Sequence, residues 1–236
     1  MLEQLPLKFE FRADHTFDSF FPGNNQEVFN HLKRFTTDEG EQFIFLWGEP
    51  GYGKTHLLHS CCNEAFKNGL SSFYLDLAET ELTDPELLTG LEHYGIVSLD
   101  NIDLLVGKKS WELAFFALFN QLRDYNGKLL ISAASSPHTL AFKLPDLRSR
   151  INWGLTLKLN AFDDDNKIAA LSYKAHQKGF EISPQSARYL LTHYDRKLSS
   201  LWTMLDKLDT ASLSAQRKLT IPFLKQIIEQ DANLFY

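Results

Sequence analysis

The chain has 236 residues, 44% of them hydrophobic and 23% charged, so it can bury a core and is neither disordered nor fibrous. A formal charge of −6, from 24 Lys and Arg against 30 Asp and Glu, argues against a nonspecific grip on nucleic acid as its main task, so no strong direct DNA binding is expected. The two cysteines, Cys61 and Cys62, are adjacent and make neither a disulfide framework nor a zinc spacing, which suits a reducing cytoplasm; a charged N-terminal stretch and the lack of any run of about 18 apolar residues argue against a signal peptide and against a membrane span.

In chain order, residues 1–15 read as extended. A short element over 15–21 ends at Pro22-Gly23, and Asn24 or Asn25 can cap a helix running to Arg34. Residues 42–47 (QFIFLW) form a short apolar run rich in β formers, as a buried parallel strand requires. A helix over 55–68 stops at Gly69, and a strand covers 72–77. Asp84-Pro85 opens a short helix, followed by a strand over 95–99 and an amphipathic helix over 110–125 that ends at Asn126-Gly127. Strands follow at 128–133 and 155–158. This alternation predicts a parallel sheet with helices on both faces. Beyond Asn160 the pattern becomes helical throughout. One helix is capped within Asp163–Asp165 and closed by Gly179, a second starts at Ser183-Pro184, a third at Asp195, and a fourth at Thr220 with Pro222 in its first turn. The predicted organisation is an extended segment 1–15, an α/β core 16–160 and a helical lid 161–236, with a ligand in the crevice between core and lid.

The strongest chemical signal is Gly48-Glu-Pro-Gly-Tyr-Gly53-Lys54-Thr55, which fits G-x-x-x-x-G-K-[ST] between a predicted strand and a predicted helix. Glycines let consecutive backbone N–H groups turn inward on phosphate oxygens, and the helix start adds partial positive charge. Lys54 can reach the β- and γ-phosphates, and the Thr55 hydroxyl can ligate Mg²⁺. Asp100, at the end of the strand 95–99, stands where a P-loop protein needs a carboxylate to hold Mg²⁺ through water. The following residue is Asn101, where many P-loop ATPases carry Glu. A neutral amide cannot take the proton of an attacking water at pH 7, so weak intrinsic hydrolysis is expected and an enzymatic role for the chain by itself stays undecided. Asp103 could compensate, but its placement suits capping of segment 102–106. Ser132, at the end of the strand 128–133, can sit between the γ-phosphate and the magnesium carboxylate, or is an ordinary polar strand end.

Together GEPGYGKTHLLHS, SLDNID, LPDLRSR and the helical lid resemble the DnaA/Hda family of bacterial replication proteins, and HTFDSFFPGNN resembles that family's adenine-proximal segment. The resemblance runs along nearly the whole chain. It implies an α/β P-loop NTPase fold of the AAA+ type, a three-layer parallel sheet with a C-terminal all-helical lid. Two features place the chain nearer the Hda branch. The sequence stops after the lid, without the initiator's DNA-binding domain, and Gln4-Leu5-Pro6-Leu7 looks like a sliding-clamp-binding peptide.

The resemblance implies ADP or ATP with Mg²⁺, bound by Pro50, Gly51, Tyr52, Gly53, Lys54, Thr55 and His56, with Phe21 and Pro22 near the adenine and Thr55 and Asp100 at the metal. It implies docking on the DNA polymerase III sliding clamp through Gln4, Leu5, Leu7 and Phe9, Leu7 and Phe9 being alternative deeper anchors. It further implies stimulated ATP hydrolysis on the initiator DnaA, which prevents re-initiation, and a cytoplasmic, replisome-associated place. An extended peptide can bind a groove this way, although Leu5, Leu7, Phe9 and Phe11 could instead alternate as an edge strand. Arg150 falls at the position resembling the AAA+ arginine finger, acting in trans, with Arg148 as the alternative. The family's lid arginine is replaced by Ser199; either that contact is lost or Arg196 supplies it. Head-to-tail self-association into a homo-oligomer is compatible with this architecture. A self-contained ATPase or an initiator-like adaptor that loads or remodels a replication protein is the competing reading.

Overall fold

The computed structural model describes residues 12–80, 82, 84–215 and 219–233. They divide into two compact units, one formed by residues up to 20 with 25–160, the other by 21–24 with the chain from 161 onward. Gln4, Leu5, Leu7 and Phe9 lie outside the described residues.

The first unit is built on five strands, β1 (Phe43–Trp47), β2 (Ser72–Asp76), β3 (Ile96–Asp100), β4 (Lys128–Ala133) and β5 (Leu155–Lys158), in the spatial order β2-β3-β4-β1-β5. All neighbouring pairs are parallel. Helices α1 (Gln26–Phe35) and α2 (Lys54–Lys67) cover one face, and α3 (Lys109–Asp124) and α4 (Pro145–Ile151) the other. The pleat explains the two cores, since successive side chains point to opposite faces. Ile44 and Leu46 of β1 pack with Leu32, Phe35, Leu57 and Leu58, whereas Phe43 and Phe45 pack with Phe115, Phe119 and Leu122. A strand buried on both faces needs a continuous apolar run, which is what β1 supplies.

Helix α3 buries Trp111, Phe115, Leu118, Phe119 and Leu122, a stripe at three- and four-residue spacing. Its stop is chemical: Asn126 takes a left-handed φ of 57° and Gly127 N donates to Leu122 O at 2.8 Å. Cys61 and Cys62 are fully buried on α2. Burial raises both thiols, Cys62 to about 12 although its contact with Ser98 pulls the other way.

The expected strands at 128–133 and 155–158 are present at those residues, and the others differ by one or two positions. Helix α4 was not anticipated as an element of its own. At seven residues with Pro145 in its first turn, it is too short to print an apolar period on the sequence. The segment after Asp84-Pro85 is a 3₁₀ turn, Pro85–Leu88, with the Asp84 carboxylate accepting from Glu86 N at 2.9 Å.

The second unit is a bundle of α5 (Asp164–Gln177), α6 (Pro184–His193), α7 (Leu198–Ala215) and α8 (Ile221–Asn233) around Leu171, Leu190, Leu191, Leu201, Met204, Leu205, Leu208 and Leu224. Two of its helix starts carry the expected caps. Asp163 accepts from Asn166 N at 2.8 Å, which holds its carboxyl below the usual range, and Ser183 accepts from Ser186 N at 3.1 Å. The segment 21–24 belongs to this unit: the Phe21 ring meets Phe162 and Tyr173, and Asn24 Nδ2 donates to Ala161 O at 2.9 Å. Among the described residues no helix is long and apolar enough to cross a membrane.

Candidate functional site: the phosphate loop and the ends of the strands

The loop after β1 is positioned by the strand itself, Gly48 N donating to Ala133 O at 3.3 Å. Gly51 and Gly53 have φ of 84° and 99°, a left-handed backbone that only glycine adopts cheaply. At Gly53 space is also short. A Cβ there would lie 2.9 Å from Phe20 Cε2. Gly53 is the N-cap of α2 and offers no side chain, so the first N–H groups of the helix face the loop unspent on a cap. That makes an anion cradle of the kind phosphates occupy. Lys54 is 7% exposed, and its ammonium donates to Gly48 O at 2.7 Å and Glu49 O at 3.1 Å. Burial lowers its pKa, while Asp100 and Asp103 act in the opposite direction. A buried cation held on loop carbonyls is poised to transfer to a stronger acceptor such as a phosphate oxygen.

Three hydroxyls converge on Asp100, which is fully buried at the end of β3. Thr55 Oγ1 donates to Oδ2 at 2.6 Å, Tyr74 donates to the same oxygen at 3.1 Å, and Ser132 donates to Oδ1. Three hydroxyl donors from three different elements fix the rotamer of this carboxylate. The Thr55 hydroxyl and the Asp100 carboxylate are hard oxygen donors side by side, which fits Mg²⁺. With so few protein oxygens to hold it, such an ion would enter with a nucleotide. Among the described residues no group of three or more His, Cys, Asp and Glu is arranged to hold a metal by itself.

Beside this carboxylate, Asn101 takes a left-handed φ of 62°. Its backbone N–H donates to Ser132 Oγ at 3.2 Å and its side-chain amide to Asp76 Oδ1 at 2.8 Å. The position where many P-loop ATPases carry Glu thus presents an amide whose N–H is engaged by a carboxylate. Asp103 does not cap the 3₁₀ turn Ile102–Leu105; its carboxylate accepts instead from Ala134 N at 3.4 Å.

The remaining candidates separate in space. Pro50 is exposed, and Tyr52 donates to Glu49 Oε2 at 2.9 Å. His56 Nε2 lies 3.0 Å from Thr16 O and 3.2 Å from Ser19 Oγ, with the His15 ring stacked on its own. Phe21 and Pro22 group with the second unit. There Arg196 lies in the turn before α7, not on the helix, and its guanidinium pairs with Asp164. Arg150 is near the end of α4 and half-buried, lining a surface recess of about 390 Å³ with Phe116, Asp146, Ser149 and Trp153. Among the described residues its guanidinium makes no hydrogen bond or ion pair. Arg148 is exposed.

Sequence reasoning missed Tyr74 and Asp76. Parallel register sets Tyr74 beside Ser98 and Asp76 beside Asp100, and the order of strands in the sheet was the information needed to see it.

Comparison with known proteins matches residues 11–158 to the family model of the bacterial DnaA ATPase domain and residues 164–228 to that of the Hda lid domain. An uncharacterized protein of Haemophilus influenzae is 41% identical over 230 residues, covering 97% of this chain and 99% of its own. Among solved structures, domain III of the Thermotoga maritima replication initiation protein DnaA superposes with a TM-score of 0.76 at 22% identity, over 94% of this chain and 98% of that one. Replication initiator DnaA bound to AMPPCP and single-stranded DNA gives 0.73 at 22% identity, over 84% of this chain but 65% of its own length. At such identity the structural likeness shows the fold, a DnaA-like AAA+ sheet with a helical lid.

Proposed function

Since the chain belongs to the Hda/DnaA family, we propose that it is a nucleotide-bound regulator that docks on the DNA-loaded sliding clamp and stimulates hydrolysis of the ATP held by DnaA, so that a second initiation is prevented. In this reading ADP or ATP sits on the loop 48–55, with its phosphates on the N–H groups at the start of α2 and on Lys54. Thr55 and Asp100 hold Mg²⁺, which neutralises phosphate charge when bound. The nucleotide on this chain mainly shapes an interface, and its own hydrolysis is weak. Arg150 of this chain meets the γ-phosphate of the ATP on DnaA, where a guanidinium stabilises the charge that develops as the phosphoryl group leaves. DnaA supplies the rest of that site.

What supports the reading above all is the contrast between Asn101 and Arg150. The amide at the base position is engaged by Asp76, which disfavours self-contained turnover, whereas the arginine has no partner of its own among the described residues. Gln4, Leu5, Leu7 and Phe9 are the proposed clamp peptide. Clamp docking raises the effective concentration of the regulator beside DNA-bound DnaA. The Arg150 face also suits self-association, and the whole scheme places the chain in the cytoplasm at the replisome.

The test is hydrolysis of labelled ATP preloaded on DnaA in the presence of clamp-loaded DNA. Wild type accelerates it, and Arg150→Ala and Gln4→Ala fail while still folding and binding ADP. A wild-type chain that leaves DnaA-bound ATP intact overturns the reading and favours a self-contained ATPase or an adaptor.

A further inference from the structure

Among the described residues two acids are buried, Asp100 and Glu112, and the phosphate site uses only the first. Glu112 lies in the first turn of α3, 1% exposed, and among the described residues it forms no ion pair. Its charge is met by three backbone donors. Gly107 N donates to Oε1 at 2.7 Å, and Lys143 N and Leu144 N each donate to Oε2 at 2.8 Å. Short bonds to an ionised acceptor are the strong kind, and here they join two stretches distant in sequence. Gly107, at a left-handed φ of 84°, closes the segment that leaves β3 through Asp100 and Asn101. Lys143 and Leu144 are the entry to α4, with Leu144 its N-cap.

Helix α4 is seven residues long and ends one residue after Arg150. A helix this short does not hold its own geometry in water. Leu147 and Ile151 anchor one side of it in the core, but they leave its entry to be fixed by something else. We infer that Glu112 is the positioning residue for Arg150: by gripping both N–H groups at the entry of α4 and tying them to the segment after the magnesium carboxylate, it fixes where the guanidinium is presented to a phosphate on a partner. The inference rests on the reading of Arg150 given above and deepens it. A carboxylate suits the task where an amide does not. One carboxylate accepts three N–H donors from two directions, whereas glutamine at the same place must turn an NH₂ toward either Gly107 N or the pair at 143 and 144.

Glu112→Gln therefore keeps size and removes one side of the grip, and Glu112→Asp keeps the charge and shortens the reach. Both are compared with wild type, Arg150→Ala and the double variant Glu112→Gln/Arg150→Ala. The readouts are ADP binding to the chain, the chain concentration giving half of the maximal stimulation, and the maximal rate of ATP hydrolysis on the partner. Expected is a loss of maximal rate on the order of 10²-fold, as misplacement by about 1 Å produces, with ADP affinity and half-saturating concentration unchanged. The double variant should be no slower than Arg150→Ala alone, since both lesions act through one group. A folded Glu112→Gln that reaches the wild-type maximal rate overturns the inference and leaves the proposed function standing. So does loss of ADP binding in both Glu112 variants, which would make the residue a support of the fold at large. If Arg150→Ala stimulates as well as wild type, the finger reading itself fails and the inference falls with it.

Discussion

Replacing Asn101 by Asp exchanges an NH₂ for a charged oxygen and changes little else. The backbone there is already left-handed, and Asp tolerates that region nearly as well as Asn. Asp76 Oδ1, which accepts from the Asn101 amide at 2.8 Å, would instead face a second carboxylate. Two unit charges about 4 Å apart at an effective dielectric near 20 repel by about 4 kcal/mol. Both residues are half-buried, and water at the strand ends cuts this to roughly 2 kcal/mol. Loss of the hydrogen bond adds about 1 kcal/mol. The variant should therefore be about 3 kcal/mol less stable at pH 7, and at roughly 2–4 °C per kcal/mol its melting point should fall by something near 8 °C. The swap Asp76→Asn/Asn101→Asp puts the donor on the other partner and should recover more than half of the loss, a coupling that urea unfolding of the four proteins measures directly. If Asn101→Asp melts within about 0.5 kcal/mol of wild type, or if the swap is as unstable as the two single losses added together, the amide is not held as described.

Other expectations follow from the same geometry. Gly53→Ala puts a Cβ 2.9 Å from Phe20 Cε2 on a backbone of φ 99°, so at a strain of about 1–2 kcal/mol it should weaken ADP binding about tenfold or more in calorimetry; unchanged affinity would mean that the loop relaxes freely. Removing magnesium with a chelator should weaken ADP binding by wild type, and Thr55→Ala should bind weakly with or without the ion; a Thr55→Ala protein that still gains from magnesium would displace Thr55 from the metal. His59 is buried on α2 against the Tyr74 ring, and burial first, then His15 and Arg12, bring its pKa from 6.5 to about 4. The unfolded chain thus takes up this proton first as the pH falls. Stability is fully present above pH 6.5 and is lost toward pH 4, by up to about 3 kcal/mol, and His59→Phe should flatten that slope in urea titrations at several pH values.

The phosphate loop was readable from the sequence because its parts are contiguous. Eight consecutive residues, Gly48 to Thr55, running from the end of a strand into a helix, contain the glycines, the lysine and the hydroxyl, and their conformation follows from local backbone chemistry. Asp100 was readable for a related reason, as the polar end of an apolar strand. Its hydroxyl partners were only partly so. Ser132 was weighed, but Tyr74 was hidden, since nothing in SFYLD says that this strand pairs beside β3 or in which register. Asn101 was recognised for what it lacks; the carboxylate engaging it comes from Asp76, at the end of that same neighbouring strand. Glu112 was the least visible, reading as one acidic residue in an amphipathic helix. Its burial follows from where the loop before α4 passes, and such tertiary routes leave no period in a sequence.

The burial of Cys61 and Cys62 has a practical side. The chain contains two cysteines, both fully enclosed on α2 with thiols shifted toward the protonated, unreactive form. The native protein is therefore a silent background for maleimide chemistry, with no need to strip its own thiols. A single cysteine introduced at exposed Ser149, beside Arg150, would take up a fluorophore at one place. Such a dye could report, in real time and on unmodified cores, each approach of a partner to the arginine.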